Sequence, residues 1–65
     1  MHIGNRIRTV VKEKGMSVKG FSEQLGCSRA NAYKIFEHYS IDSMLLLRIS
    51  RILGHDFFAE YQEEL

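Results

Sequence analysis

Two short runs of helical periodicity are separated by only three residues, 26–28, and this break constrains the fold more than any other feature of the chain. Gly26 accepts the positive φ of a sharp helix stop because it has no Cβ. Cys27 is small and apolar enough to fill the space beneath such a turn. The Ser28 hydroxyl can accept a free N–H of a new helix, and Ser22 offers a small side chain where the two helices would cross. We therefore predict two helices that meet at a tight turn.

Helical spacing and capping residues extend this prediction to the rest of the chain. The first helix should bury the face formed by Ile3, Ile7, Val10 and Val11. The predicted caps are Ser17, Ser28, Asp42 and Asp56, and the predicted glycine stops are Gly15, Gly26 and Gly54. We predict a compact all-α bundle of five helices, a single domain of residues 1–65, with a helix-turn-helix at helices 2 and 3. Gly20, inside helix 2, either permits a close backbone contact or is tolerated at a cost of about 1 kcal/mol.

Several classes of function lack the residues that they need. The single cysteine excludes an internal disulfide framework, and we interpret Cys27 as a structural plug and not as a reactive thiol. His2, His38 and His55 lie in different elements without metal-ligand spacing. No set of nucleophile, base and orienting group is recognisable, so we expect no enzymatic activity, metal, cofactor or small-molecule ligand. The chain shows no signal peptide and no apolar run of membrane-spanning length, so we expect a cytoplasmic protein with no membrane partner.

The charges are distributed unevenly along the chain. Residues 1–34 contain seven basic and two acidic residues, whereas residues 35–65 contain two basic and six acidic residues. Such a polarised distribution suits a protein that meets a polyanion with one end only. Chance segregation in a short chain is the alternative interpretation.

Two segments carry a resemblance to a known family. The sequences SVKGFSEQLGCSRANAYKIF and SIDSMLLLRISRILGHDFF resemble the phage-repressor and Cro-like (XRE) family of helix-turn-helix proteins. The first segment matches the family pattern at Ser17, Phe21, Ser22, Leu25, Gly26, Cys27 and Ser28, and the second at Leu46, Ile49, Ser50, Leu53 and Gly54. The resemblance spans the chain from Ile3 to Tyr61 and implies a lambda-repressor-like bundle.

The resemblance also implies a function, namely sequence-specific binding of double-stranded DNA by a transcriptional regulator. The recognition helix would comprise residues 28–37 and lie in the major groove. By position, the implied base contacts are Arg29, Ala30, Asn31, Tyr33 and Lys34, and the phosphate contacts are Ser17, Lys19, Ser28, His38, Tyr39 and Ser40. Arg29 is the strongest candidate because a guanidinium can pair with O6 and N7 of guanine together. The alternative is that Arg29 and Lys34 belong to an ordinary solvated helix face.

The chain departs from the family pattern at three positions. Val18 replaces a glutamine that often holds a phosphate, Val11 replaces a phosphate-contacting arginine, and His38 replaces a frequent glycine. These departures leave open a member that binds DNA weakly or has lost DNA binding.

An excess of apolar residues in the last two helices predicts a protein interface. Met44 and Leu47 fall outside the core stripe of helix 4. With residues of the last helix they would form an exposed patch that pairs two copies of the chain, composed of Met44, Leu47, Phe57, Phe58 and Tyr61. Alternatively, helix 5 folds back and covers them.

A rival function from a different class uses the same fold. The chain would then be a helical protein-interaction module, either antitoxin-like or a divergent helix-turn-helix protein without DNA binding. DNA titration separates the two hypotheses.

Overall fold

The computed structural model describes residues 1–65 and contains five helices and no strand. The helices are α1 (Ile3–Glu13), α2 (Val18–Leu25), α3 (Arg29–Glu37), α4 (Ser43–Leu53) and α5 (Phe57–Glu63). The predicted all-α fold with five helices is therefore confirmed.

Short-range hydrogen bonds define the ends of the helices. The side chains of Ser17, Ser28, Asp42 and Asp56 each accept a backbone N–H of the helix that follows, as predicted. At the start of α1 this capping role belongs to His2, whose Nδ1 accepts the Asn5 N–H at 3.0 Å. The sequence did not suggest this cap. Positive φ angles occur only at the three predicted glycine stops, Gly15, Gly26 and Gly54.

One apolar core joins all five helices. The predicted face of α1 is buried, and Phe21 stacks on Phe36 with 5.8 Å between the ring centroids. The core consists of Ile3, Ile7, Val10, Val11, Phe21, Leu25, Ala32, Phe36, Leu46, Ile49, Leu53 and Phe57. Each such large side chain stabilises the fold by about 1.5–3 kcal/mol on burial, so this single cluster holds the helices in place.

The first turn of α1 rests directly on the end of α3. A Cβ on Gly4 would lie 2.2 Å from the carbonyl oxygen of Phe36, so α1 can approach this closely only with glycine at that position. The N–H groups of Ile3 and Gly4 donate to the carbonyl oxygens of Tyr39 and His38, both at 3.0 Å. The loop after α3 therefore caps α1, and the two helices are fixed to each other.

Arg48 connects α4 with α2. Its guanidinium donates to the carbonyl oxygen of Leu25, at the end of α2, at 2.8 Å. Ser22 of α2 is buried, and its hydroxyl donates to the Lys19 carbonyl of the same helix at 2.8 Å. The hydrogen bond from Arg48 thus holds the end of α2 next to α4.

An ion-pair cluster fastens α5 to α1. Arg6 donates to both carboxylate oxygens of Glu60, at 2.6 and 3.3 Å, and His55 also contacts this carboxylate. The hydrogen bonds from Arg6 lower the pKa of Glu60 below its usual value against an opposing effect of burial, and His55 adds to the lowering. Because Phe57 enters the core beneath this cluster, α5 is attached both by a buried ring and by charge.

Candidate nucleic-acid interface

The turn between α2 and α3 is built by hydrogen bonds to the end of α2. Gly26 adopts a left-handed conformation with φ +80°, and its N–H donates to the carbonyls of Ser22 and Glu23. The Cys27 N–H donates to the same Ser22 carbonyl at 3.0 Å, and the Cys27 side chain is half-buried against the core. No heavy atom lies within 4 Å of a Cβ built at Gly26, so the backbone conformation, and not space, favours glycine there.

Ser28 turns the chain into α3. Its backbone is extended, with φ −75° and ψ 160°, and its Oγ accepts the N–H of Asn31 at 3.1 Å. The helix thus begins at Arg29, one residue after the start of the predicted recognition segment 28–37.

The outer side of α3 is exposed along the helix. Ala32 and Phe36 enter the core and fix the rotation of the helix about its axis. All five side chains predicted to contact bases are consequently exposed: Arg29, Ala30, Asn31, Tyr33 and Lys34. The structure therefore brings these residues onto one free surface that is not covered by the rest of the chain.

This surface carries unpaired positive charge and a positioned aromatic ring. Neither Arg29 nor Lys34 takes part in any of the three ion pairs of the structure, and Glu37, at the last residue, is the only acidic side chain of α3. Tyr33 is 47% exposed and meets the buried Phe36 ring edge-on, with centroids 6.0 Å apart and an interplanar angle of 89°. The exposed face thus combines unpaired cations with a tyrosine ring that contacts the core.

The residues predicted to contact phosphate are all exposed but fall into two groups. Ser17 and Ser28 each cap a helix, and Lys19 lies in the first turn of α2 without an ion pair. Free N–H groups at such helix starts favour anions. His38, Tyr39 and Ser40 lie in the loop between α3 and α4. No ion pair joins this loop group to the cap group.

His38 and Ser40 border a small cavity between α3 and α4. Its volume is about 280 Å³, and its lining includes the apolar Ile35 and Leu45 and the carboxylate-bearing Asp42. His38 itself has φ −75° and ψ 130°, an extended conformation that any residue adopts, so the loop does not require glycine there. A residue with a side chain is therefore accommodated at position 38.

Burial accounts for the apolar residues at positions 11 and 18. Val11 belongs to the core, and Val18 is half-buried against it. An arginine or glutamine at either position would place a polar group against apolar side chains. Any phosphate contact from this part of the chain must therefore come from other residues.

The predicted apolar patch is smaller than the sequence suggested. Phe57 is fully buried, so its assignment to an exposed interface was wrong. Met44 and Phe58 are 64% and 40% exposed, and Leu47 and Phe58 border one groove of about 440 Å³ between α4 and α5. Tyr61 is half-buried against the core, and burial raises the pKa of its phenol. The exposed part of the predicted patch thus reduces to Met44 and Phe58, and the half-buried Leu47 borders the groove beside Phe58.

Two residues of α1 that the sequence did not indicate, Gly4 and Arg8, lie close to α3. The guanidinium carbon of Arg8 lies 6.0 Å from the centroid of the Phe36 ring, the same ring that Tyr33 contacts. A glycine between the core positions Ile3 and Ile7 was the available signal that α1 approaches another helix closely.

Comparisons of the chain with known protein families, curated proteins and solved structures return no match. None of the five helices combines the length and the apolarity needed to cross a membrane. No group of three or more His, Cys, Asp or Glu side chains is arranged to hold a metal ion. Geometry and charge are therefore the features that suggest a function for the exposed face of α3.

Proposed function

We propose that the protein is a sequence-specific, double-stranded DNA-binding transcriptional regulator that acts in the cytoplasm and inserts α3 into the major groove. The observation that supports this most strongly is the exposed outer face of α3, on which Arg29 and Lys34 are free of carboxylate partners. A helix with its side chains is about 10–12 Å wide, which matches a major groove about 12 Å wide. In this proposal α2, the turn and α3 form a helix-turn-helix of the phage-repressor type.

Each side chain on this face suits a particular part of a base pair. Arg29, in the first turn of α3, pairs with O6 and N7 of a guanine, and Asn31 pairs with N6 and N7 of an adenine. Ala30 and the ring of Tyr33 contact a thymine methyl, and Lys34 contacts a guanine or a phosphate. Because Tyr33 is held against Phe36, its position is set before DNA binds.

The backbone contacts in this proposal come from both ends of the α2–α3 unit. Lys19 and the capped helix starts at Ser17 and Ser28 approach phosphates on one side, and the loop residues His38, Tyr39 and Ser40 on the other. Such contacts position the protein without reading sequence. The excess of basic residues before position 35 favours approach of this part of the chain to a polyanion.

A binding titration tests the proposal. A preferred duplex is first selected from a randomised library, and the affinities for that duplex and for an unrelated one are then measured at about 50 and 200 mM salt. We expect Arg29→Ala to weaken binding to the preferred duplex by about 1–3 kcal/mol and to relax the preference at one base pair. If Lys34 contacts a phosphate, Lys34→Ala reduces the salt slope by about one unit with preference retained.

Arg51→Ala is the matched control for these variants. It removes one exposed, unpaired positive charge from α4 and leaves α3 unchanged. Because Arg51 borders the same groove as Phe58, the oligomeric state of the Arg51→Ala variant is measured in parallel. Binding by the unaltered protein that is undetectable and independent of salt would refute DNA binding and favour the protein-interaction module.

We further propose that two copies associate through the patch of Met44, Leu47 and Phe58. Met44 and Phe58 are exposed, and Phe58 borders a groove together with the half-buried Leu47. Exposed apolar surface of this kind is typical of a surface that pairs with another protein. A two-fold dimer would present two α3 helices to half-sites about 34–36 Å apart, or a multiple of that distance. Sedimentation should show a dimer that Phe58→Ser weakens, whereas a monomer at high micromolar concentration with and without DNA would contradict this assembly.

A further inference from the structure

Arg8 is an exposed arginine of α1 to which the proposed function assigns no contact. It takes part in no ion pair, although Arg6, two residues earlier, is paired with Glu60. The two arginines of α1 thus have different environments. One holds α5 in place, and the other keeps its full charge available to a partner.

The position of Arg8 follows from the close contact between α1 and α3. Gly4 faces the backbone of α3, where an added Cβ would meet the Phe36 carbonyl. Residues four positions apart lie on the same side of a helix, so Arg8 also lies on the side that faces α3. Its guanidinium is accordingly 6.0 Å from the Phe36 ring centroid, and Tyr33 meets the same ring edge-on. Arg8 is therefore a neighbour of the exposed face of α3.

A cation near an aromatic ring is attracted to the ring but is not neutralised by it. The attraction to the ring is worth about 0.5–1 kcal/mol at an exposed site. The planar guanidinium has five N–H donors at its edges, and those of Arg8 enter no ion pair within the chain. An arginine in this state suits an anion with several oxygen acceptors, such as a phosphate group.

We propose that Arg8 binds a backbone phosphate of the DNA duplex beside the groove that receives α3. This inference rests on the proposed function of α3. The inference gives α1 a part in positioning the protein on DNA. Arg8 would supply a hydrogen-bond donor to phosphate, which the apolar side chains of Val11 and Val18 cannot. Since a phosphate carries no sequence information, Arg8 strengthens binding to all duplexes alike.

The salt dependence of binding tests this assignment. Arg8→Ala should weaken binding to the preferred and the unrelated duplex by the same factor and reduce the salt slope by about 0.9. Arg8→Lys should restore the slope because the charge returns. Thr9→Ala, which alters the adjacent exposed side chain of α1 without changing the charge, should leave both quantities as they are. Thermal unfolding of each variant identifies any loss of folded protein.

Neutral phosphate substitutions distinguish direct contact from a structural effect. Single methylphosphonates are placed at successive positions flanking the preferred site. A methylphosphonate at one position should lower the affinity of the unaltered protein, because it removes the phosphate charge that Arg8 contacts. The affinity of Arg8→Ala should not change with a methylphosphonate at that position, and only there. The inference is overturned if Arg8→Ala keeps the full slope and the full methylphosphonate pattern, or if it changes base preference, while the unaltered protein binds. If the unaltered protein binds no duplex, the proposed function of α3 fails and this inference fails with it.

Discussion

Gly4 is the position at which a single added methyl group should have the largest effect on the fold. In Gly4→Ala the new Cβ would lie 2.2 Å from the carbonyl oxygen and 2.5 Å from the carbonyl carbon of Phe36, and 2.6 Å from the carbonyl oxygen of Ile35. All three atoms belong to the backbone of α3, so no side-chain rotation relieves the overlap. Restoring ordinary contact distances requires α1 and α3 to separate by about 1 Å.

The expected cost combines two effects. Inserting a methyl group into a tightly filled contact costs about 1–3 kcal/mol. Separation of the helices also weakens the hydrogen bonds from Ile3 and Gly4 to the loop carbonyls, each worth about 0.5–1.5 kcal/mol. The greater helix preference of alanine returns about 0.5–1 kcal/mol. The net loss of unfolding free energy is therefore about 2–4 kcal/mol, a large fraction of the roughly 3–10 kcal/mol typical of 65 residues.

Denaturation followed by far-ultraviolet circular dichroism measures this loss. The unfolding midpoint of Gly4→Ala should fall by about 10–30 °C, since 1 kcal/mol shifts it by about 4–8 °C in a domain of this size. Gly20→Ala is the matched control because its Cβ would meet only the Ser17 Oγ at 3.2 Å and the Met16 Cγ at 3.7 Å. We expect Gly20→Ala to stay within about 1 kcal/mol of the unaltered protein. Equal stability of the two alanine variants would refute the steric reasoning.

Three further changes follow from contacts of the same structure. Arg48→Ala removes a charged donor to the end of α2 and should lower the unfolding free energy by about 1.5–3 kcal/mol in urea denaturation, whereas a loss below 0.5 kcal/mol would assign the contact no role. Ser28→Ala removes the cap of α3 and should cost about 1 kcal/mol, and Ser28→Asp should retain most of that stability. Glu60 has a pKa lowered mainly by hydrogen bonds from Arg6, so its contribution is complete above the unfolded-state pKa, near 4.5, and disappears as the pH falls through the folded-state pKa. Stability measured from pH 7 to pH 3 should accordingly fall less steeply in Glu60→Gln, and an unchanged slope would contradict this linkage.

Local signals predicted the boundaries of the helices. An N-capping side chain bonds to an N–H only three residues later, and a left-handed glycine ends a helix at its own position. Both signals are therefore local. Ser17 and Asp42 could therefore be assigned as caps without knowledge of the tertiary structure. His2 was missed because its ring nitrogen replaces the usual hydroxyl or carboxylate. The periodicity of α1 was predicted correctly for the same reason, since four apolar positions define one face.

Contacts between distant residues could not be predicted in this way. The hydrogen bond from Arg48 joins residues 23 positions apart, and the ion pair of Arg6 with Glu60 joins residues 54 positions apart. Neither has a local signature. The error at Phe57 has a similar origin, because two adjacent phenylalanines point in different directions and only the docking of α5 decides which of them enters the core. Phe57 does so, and Phe58 remains exposed.

The exposure of the candidate site residues on α3 was predictable, because the buried residues of the helix determine which of its side chains face outward. Once Ala32 and Phe36 are assigned to the buried side of α3, helical geometry turns Arg29, Tyr33 and Lys34 outward. The sequence did not indicate that the Phe36 ring also organises this surface from beneath. Tyr33 and Arg8 reach the ring from different helices, and that arrangement depends on how closely α1 approaches α3.

The stability of α3 and its proposed binding role depend on different residues of the same helix. A helix of nine residues is too short to persist alone in water, so α3 exists because Phe36 and Ala32 are buried and α1 is fixed against its end. Arg29 and Lys34 make no contact that supports the fold, so their removal should leave stability nearly unchanged while altering any binding. Loosening the contact at Gly4 should have a different profile, because it displaces the whole helix and so lowers stability as well as any binding. The two sets of variants thus separate what α3 needs in order to form from what it would use to recognise a partner.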